Sequence, residues 1–304
     1  MSAVLAYFQM LPGLVPGILE QGLIYGILSL GLLITYRILD FPDLTVDSSF
    51  PLGAAVSATL TLQGVPPALT LLCGALCGAL AGLVTGLIHV KCHVRDLLSG
   101  IITMTGLYSI NLRIAGKANL PIFSVETLFK NSFTKSLPAW ISPYINILVI
   151  LLILLIAKLL LDLFLRTKAG YLLRAAGDNA AVVTTLAKDQ GTVKIIGLMI
   201  ANALVALAGA VMCQQQRFFD ISMGTGTMVI GLASVIIATN LFRNARHLRS
   251  TTMVVIGAIL YRACVSIAIS LGLEASDMRL ITAVLFLLIL VAGNVRRKKV
   301  RIHA

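Results

Sequence analysis

Three carboxylates crowd into Arg37–Ser49 (RILDFPDLTVDSS): Asp40, Asp43 and Asp47, beside Pro42. Proline cannot continue a helix and frees backbone groups, so the stretch reads as a break between two apolar runs. In lipid such a break must be solvated, or buried in protein beside a cavity. The carboxylates then either cap helices in an ordinary cytoplasmic turn or belong to a broken-helix element near an inner gate. Arg262 is the second candidate, midway along an apolar run, where an ionisable group is costly and faces protein or water. It can pair with a distant acid for structure, or line a pathway and meet an anionic group such as a carboxylate. Asn111 with Arg113, Glu20 with Gln21, and Asn202 pose the same question. Lys158 and Asp162, one helical turn apart, are explained by snorkelling and a helix ion pair.

None of these groups suggests an enzyme. No HExxH or GxSxG motif occurs, and no acid pair has the spacing of a catalytic dyad within a span. The five cysteines (Cys73, Cys77, Cys92, Cys213 and Cys264) form no CxxC or Cys/His metal-ligand pattern and read as small packing residues.

The elements that must position these residues follow from composition. The 304 residues are 58% hydrophobic and only 12% charged, with a mean hydropathy of +0.97. A soluble domain carries about a quarter charged residues. Runs such as Ile147–Ala157 and Leu280–Gly293 are apolar on all sides, which excludes the alternating strands of a membrane β-barrel. The class is an all-α polytopic membrane protein. A window of about 20 apolar residues gives nine segments: 14–36, 49–63, 66–88, 96–115, 144–165, 195–215, 225–242, 251–272 and 279–295. The second is short for a full span.

The net charge of +12 has a location. Of 24 Lys and Arg, 16 fall in the loops 37–48, 89–95, 166–194 and 243–250 or in the tail, against six on the opposite side. Cytoplasmic loops carry that excess, so the C-terminus is expected inside and, with nine crossings, the N-terminus outside. No Lys or Arg precedes Arg37 to hold the first end inside. The basic clusters are short, border helices and lack interleaved aromatics, which argues against nucleic acid.

Gly74, Gly78, Gly82 and Gly86 recur at four-residue spacing in the third segment. They make a smooth groove where another backbone can approach. Arg37-Ile-Leu-Asp40 and Arg217-Phe-Phe-Asp220 follow the first and sixth segments. An odd offset reverses orientation, so the halves 14–115 and 195–295 read as a weak inverted repeat, common in transporters. The loop 166–194 holds Asp178 as an N-cap for a short helix, Asn179–Lys188, closed by Gly191. Such a helix is marginal alone. It lies on the inner leaflet as a connector, or docks in a groove on a cytoplasmic partner.

This loop carries a resemblance. Gly170-Tyr-Leu-Leu-Arg174-Ala-Ala-Gly177-Asp178-Asn179, with Gly191-Thr-Val-Lys194 and Ile200–Val211, resembles the coupling region of ABC importer permeases serving branched-chain amino acids and ribose-type sugars. Asp43-Leu-Thr-Val46 resembles the DLSVG element of the sugar members, with Asp47 in place of its glycine. LDFPDLTVDSSFPLGAA and Leu107–Pro121 are similar to the subgroup paired with tryptophan/tyrosine-type binding proteins.

The resemblance spans roughly 15–295 and implies a single permease domain in the bacterial cytoplasmic membrane. It implies two permease copies with one path at or near their interface, an ATPase dimer below and an extracytoplasmic substrate-binding protein above. ATP and Mg belong to the ATPase, and this chain is expected to bind no cofactor itself. Arg174, Gly177, Asp178 and Asn179 are the expected coupling contacts, and 116–143 the landing surface for the binding protein. No G-x-x-x-x-G-K-[ST] phosphate loop occurs, so another polypeptide must grip the ATP phosphates. The solute is expected to be small, organic and amino-acid-like, with aromatic amino acids the subgroup's suggestion. An ion-coupled secondary transporter is the alternative, since it explains a repeat and Arg262 but needs no coupling helix.

Overall fold

The structure, a computed structural model, describes residues 2–131, 144–178, 190–242 and 248–270, with scattered helical positions between 280 and 291. Helices α1 (Ser2–Leu32), α2 (Val46–Leu62), α3 (Pro67–Lys91) and α4 (Asp96–Ala115) come first, with a π-helical turn (Leu33–Ile38) closing α1. Strand β1 (Asn119–Pro121), α5 (Ile145–Phe164), α6 (Lys168–Asp178) and α7 (Gln190–Gln216) follow. Strand β2 (Phe218–Asp220), a 3₁₀ turn (Ile221–Gly224), α8 (Thr227–Leu241) and α9 (Ser250–Ser270) complete the described order. The two strands pair antiparallel, Leu120 opposite Phe219.

Seven helices among the described residues are long and apolar enough to cross a membrane, so the chain is an all-α multi-pass membrane protein. Two of the nine expected segments are not among these seven. Helix α2 has 17 residues, about 26 Å of rise against a hydrocarbon core of about 30 Å. The segment 279–295 lies mostly outside the described residues. One adjustment concerns the loop 166–194. Its first part is a helix, α6, and α7 already begins at Gln190. The short helix expected over 179–188 lies outside the described residues.

Helix α7 is one spine of the bundle. Lipid tails are as apolar as leucine, so helices associate here by close backbone approach rather than hydrophobic exclusion. The glycine stripe of α3 meets α7 along its length. A Cβ on Gly78 would collide with the Ala206 side chain and the Asn202 carbonyl, and one on Gly82 with the Leu198 carbonyl. Gly86 would come within 3.0 Å of the Ile195 Cα, and Gly74 within 3.2 Å of the Gly53 carbonyl oxygen. Helix α2 wedges in beside them, with Gly53 against Ala206 and Gly209 of α7 against the Phe50 backbone.

Helix α1 is the second spine and carries α5, α8 and α9 as well as α7. Its Ile24, Ile27, Leu28 and Leu32 are buried in the largest apolar cluster. Helix α5 stands on the outside of the bundle. It buries Ile150, Leu154, Ala157 and Leu161 and turns Leu152, Leu155, Leu159 and Leu163 outward, as a lipid-facing helix must. Helix α3 packs on α7 as α9 packs on α1, and α2 packs on α3 as α8 packs on α9.

Replacing Gly78 or Gly82 by leucine should destabilise the folded chain by roughly 1–3 kcal/mol through overpacking. Gly106→Leu, at a position with nothing within 4 Å, should be nearly neutral. Thermal unfolding followed by size-exclusion chromatography in detergent reads both.

Candidate functional site

The break after α1 begins as a change of helical pitch. In the π turn Leu39 N donates to the Ile34 carbonyl at 2.9 Å, and Phe41 N reaches back to Thr35 at 2.8 Å. Asp40 then takes a left-handed φ of 52°, which asparagine and aspartate tolerate better than most residues. Asp40 is exposed, with no side-chain partner among the described residues. Phe41 is buried and meets the His89 ring edge-on at 5.2 Å between centroids.

Asp43 points the other way, into protein. It is 2% exposed. One carboxylate oxygen accepts from Thr45 N at 2.9 Å, turning the chain into α2, and the other accepts from Asn202 Nδ2 at 2.7 Å. Asn202 also donates to the Leu198 carbonyl at 3.1 Å, and its own oxygen accepts from Ser49 Oγ at 2.7 Å. Thr45 and Thr85 share a hydroxyl bond of 2.8 Å, which ties the start of α2 to α3. Gly100 of α4 lies so close that a Cβ would stand 2.8 Å from Leu44 N. One carboxylate and one amide thus join α2 to α7, with no polar atom of either left idle.

Asp47, in the first turn of α2, serves a different helix. Its carboxylate accepts from Met228 N at 2.8 Å, Thr227 Oγ1 at 3.0 Å and Gly226 N at 3.2 Å. The two backbone N–H groups among them are orphan donors that open α8, whose N-cap is Gly226 and has no side chain to offer. Asp47 therefore caps α8 in trans, and a negative charge at that end also suits the helix dipole. Pro51 lies one turn further along α2 and cannot donate to the Asp47 carbonyl. Gly224 packs against that carbonyl and the proline ring, where a Cβ would clash with both. The N-termini of two short helices, α2 and α8, meet here inside the bundle.

The other candidates separate. Asn111 of α4 joins this centre. It is fully buried, and Nδ2 donates to the Ser48 carbonyl at 3.0 Å while Oδ1 has no partner among the described residues. Arg262 does not join it. Its guanidinium carbon sits 5.7 Å from the centroid of the Tyr25 ring on α1, and Nε is buried without a partner among the described residues. Glu20 accepts from Gln215 Nε2 at 2.7 Å, linking α1 to the end of α7.

Helix α6 forms a second region at the foot of the bundle. Leu173 and Ala176 are buried, and Leu173 lies beside Leu39 against Gly197 of α7. Gly177 packs on the Ile38 carbonyl so closely that a Cβ would clash. It is a docking glycine turned toward α1 and is half-buried. Arg174 and Tyr171 are exposed on the opposite face, with the guanidinium 6.0 Å from the ring centroid. Asp178 ends α6, and Asn179 lies outside the described residues.

Two polar hubs escaped the reading of the sequence. Asp162 is more than half of an i,i+4 pair with Lys158: it also accepts from Arg249 Nη1 at 3.0 Å and Thr251 Oγ1 at 2.7 Å, fastening α5 to the start of α9. Gln214 is fully buried, donates to Ser57, Thr70 and the Pro67 carbonyl, and accepts from Leu128 N at 3.2 Å. Its signal was a polar residue at the end of an apolar run, which also marks any helix boundary. Among the described residues no three His, Cys, Asp or Glu side chains gather as a metal site.

Residues 14–292 match the family model of the branched-chain amino acid transport system permease component. The chain belongs to this family. It is a permease component of an amino-acid-type ABC transport system and a multi-pass plasma-membrane protein. It is 44% identical over 277 residues to a tyrosine transport system permease protein of Clostridioides difficile (strain R20291), covering 91% of this chain and 90% of that one. An uncharacterised protein of Rickettsia prowazekii (strain Madrid E) is 32% identical over 288 residues, covering 92% of this chain and 97% of that one. No solved structure matches the chain.

Asp47→Ala in the permease should lower its stability by about 1–2 kcal/mol, the upper part of the range for losing an N-cap, and Asp47→Asn by less. Asp43→Ala and Asn202→Ala should be strongly non-additive, with a coupling of about 0.5–3 kcal/mol in a double-mutant cycle. Unfolding of the purified variants in detergent measures both.

Proposed function

We propose that two copies of this permease form the membrane part of an ATP-driven importer for an aromatic amino acid. The tyrosine-named relative supports that substrate class. An ATPase dimer, carrying ATP and Mg, binds from the cytoplasm, and a substrate-binding protein lands on the outer segment 116–143. The excess of Lys and Arg on one face supports C-terminus in and N-terminus out. The solute passes by alternating access along a path at or near the interface of the two copies, and the permease itself performs no catalysis.

The observation that carries this reading is α6. It is held by Leu173, Ala176 and Gly177 on its inner side, while Tyr171 and Arg174 face outward. A helix docked in this way can pass a push from a partner to the ends of α1 and α7, where it rests. Asp178 and Asn179 are the further coupling contacts on this reading. The matched packing of α3 on α7 and α9 on α1 supports an inverted repeat, whose two halves rock against each other. Asp43 and Asp47 bond across from the first half to the second and brace the joint, and Asn111 supports the start of α2 beside them.

Arg174→Glu and Asp178→Lys should each abolish uptake and transport-stimulated ATP hydrolysis while the permease still inserts. Normal coupled uptake in both variants overturns the coupling role. The neighbouring binding protein should gain thermal stability with tyrosine, phenylalanine or tryptophan and none with valine; the reverse pattern overturns the substrate class. Uptake driven by an ion gradient, with no ATPase in the preparation, overturns the ATP-driven reading in favour of secondary transport.

A further inference from the structure

Where α1, α5, α6 and α9 reach the same end of the bundle they enclose a cavity of about 560 Å³. Four arginines stand in its lining: Arg37 on the π turn, Arg166 just after α5, Arg174 on α6 and Arg249 just before α9. The lining holds a single carboxylate, Asp162, whose two oxygens are taken by Lys158, Arg249 and Thr251. Among the described residues no carboxylate pairs with Arg37, Arg166 or Arg174. Three guanidinium groups with no counter-charge among the described residues therefore share one concavity, although each sits at a helix end from which it could extend into water. Like charges gathered this way repel unless an anion stands between them. Ser250 and Thr251 also put the first turn of α9 in the lining, and a helix start offers unsatisfied N–H groups to an anion.

We infer that this cavity binds the phosphate headgroup of an anionic phospholipid. It opens at the ends of spanning helices, the level at which headgroups lie. Leu33, Leu165 and Leu248 line it beside the arginines, so an amphiphile fits where a bare anion would meet apolar walls. The exposed leucines 155, 159 and 163 of α5 descend toward Arg166 and provide an apolar track for an acyl chain. Basic pockets between spanning helices on the cytoplasmic side suit such headgroups. The choice of leaflet rests on the sidedness proposed above; binding itself needs neither the ATPase nor transport. A lipid held by Arg37 and Arg166 bridges the π turn and the end of α5, beside the coupling helix.

Native mass spectrometry of the full-length permease, released from nanodiscs of mixed phosphatidylglycerol, cardiolipin and phosphatidylethanolamine, tests the assignment. The expected result is selective retention of anionic lipid, reduced roughly fivefold for each arginine removed in Arg37→Gln and Arg166→Gln. Arg113→Gln, outside the cavity, should leave retention unchanged, and the Arg37→Lys/Arg166→Lys variant should restore most of it. Equal retention of phosphatidylethanolamine by the wild-type permease overturns the proposal without any variant. So does undiminished anionic-lipid retention in the Arg37→Gln/Arg166→Gln permease. Displacement of the lipid by millimolar inorganic phosphate would make the site one for free phosphate. Loss of ATPase co-purification with lipid retention intact would make the arginines a protein contact instead. Because lipid retention is read without uptake, its failure stays separate from any failure of the importer reading.

Discussion

Backbone groups inside a bilayer have no water to turn to, and that constraint governs the centre of this permease. The chain abandons helix twice within the bundle, between the π turn and α2 and again between α7 and α8. Each break releases N–H and C=O groups that lipid cannot satisfy. The carboxylates of the first break answer for both. Asp43 closes its own segment onto Thr45 and Asn202, and Asp47 reaches across to the donors that open α8. Removing either leaves a buried polar group unmatched, which costs more than an ordinary hydrogen bond contributes.

The small residues follow from the same constraint. A side-chain carboxylate can cap a neighbouring helix only if the two backbones come close. Gly224 lets the turn before α8 settle on the Asp47 carbonyl, and Gly53, Gly209 and Gly78 let α2, α7 and α3 close around it. Packing of this kind is worth little per contact but extends along whole helices. The polar junction fixes register at one point, and the glycine contacts hold that register over several turns. Neither would hold α2, whose 17 residues are short for the bilayer, without the other.

Composition and run length made the class legible, because a spanning helix has to be apolar on every side. The glycine stripe was legible for a similar reason: period four on a helix is one face, and in lipid one face of glycines has few other uses. The fate of Asp43 and Asp47 was not. Their spacing allowed either a solvated turn or a broken-helix element. Only the positions of Asn202 and of residues 226–228, more than 150 positions away in sequence, decide which groups they serve. Asp162 shows the same gap. Its local partner Lys158 sufficed to account for it, so nothing in the sequence asked for Arg249 and Thr251. Helix α6 is strongly amphipathic, but the caps in this stretch pointed to the residues after it.

On the proposed reading, the placement of α6 limits how work can enter the membrane. Gly177 rests on the carbonyl of Ile38, the last residue of the π turn, and Leu173 rests on Leu39 and Gly197. A displacement of α6 therefore arrives at α1 and α7 together, at the point where α1 departs from α-helical pitch. A π turn is a local misfit in hydrogen bonding and yields more readily than the regular helix above it. From there only Leu39–Pro42 separates the push from the Asp43–Asn202 bond, and only Leu39–Val46 from the Asp47 cap. The stiff part of the joint lies deep, where several hydrogen bonds and glycine contacts coincide, and the compliant part lies at the foot, beside the coupling helix. A lever needs that order: a pivot that does not give, and a handle that can be moved.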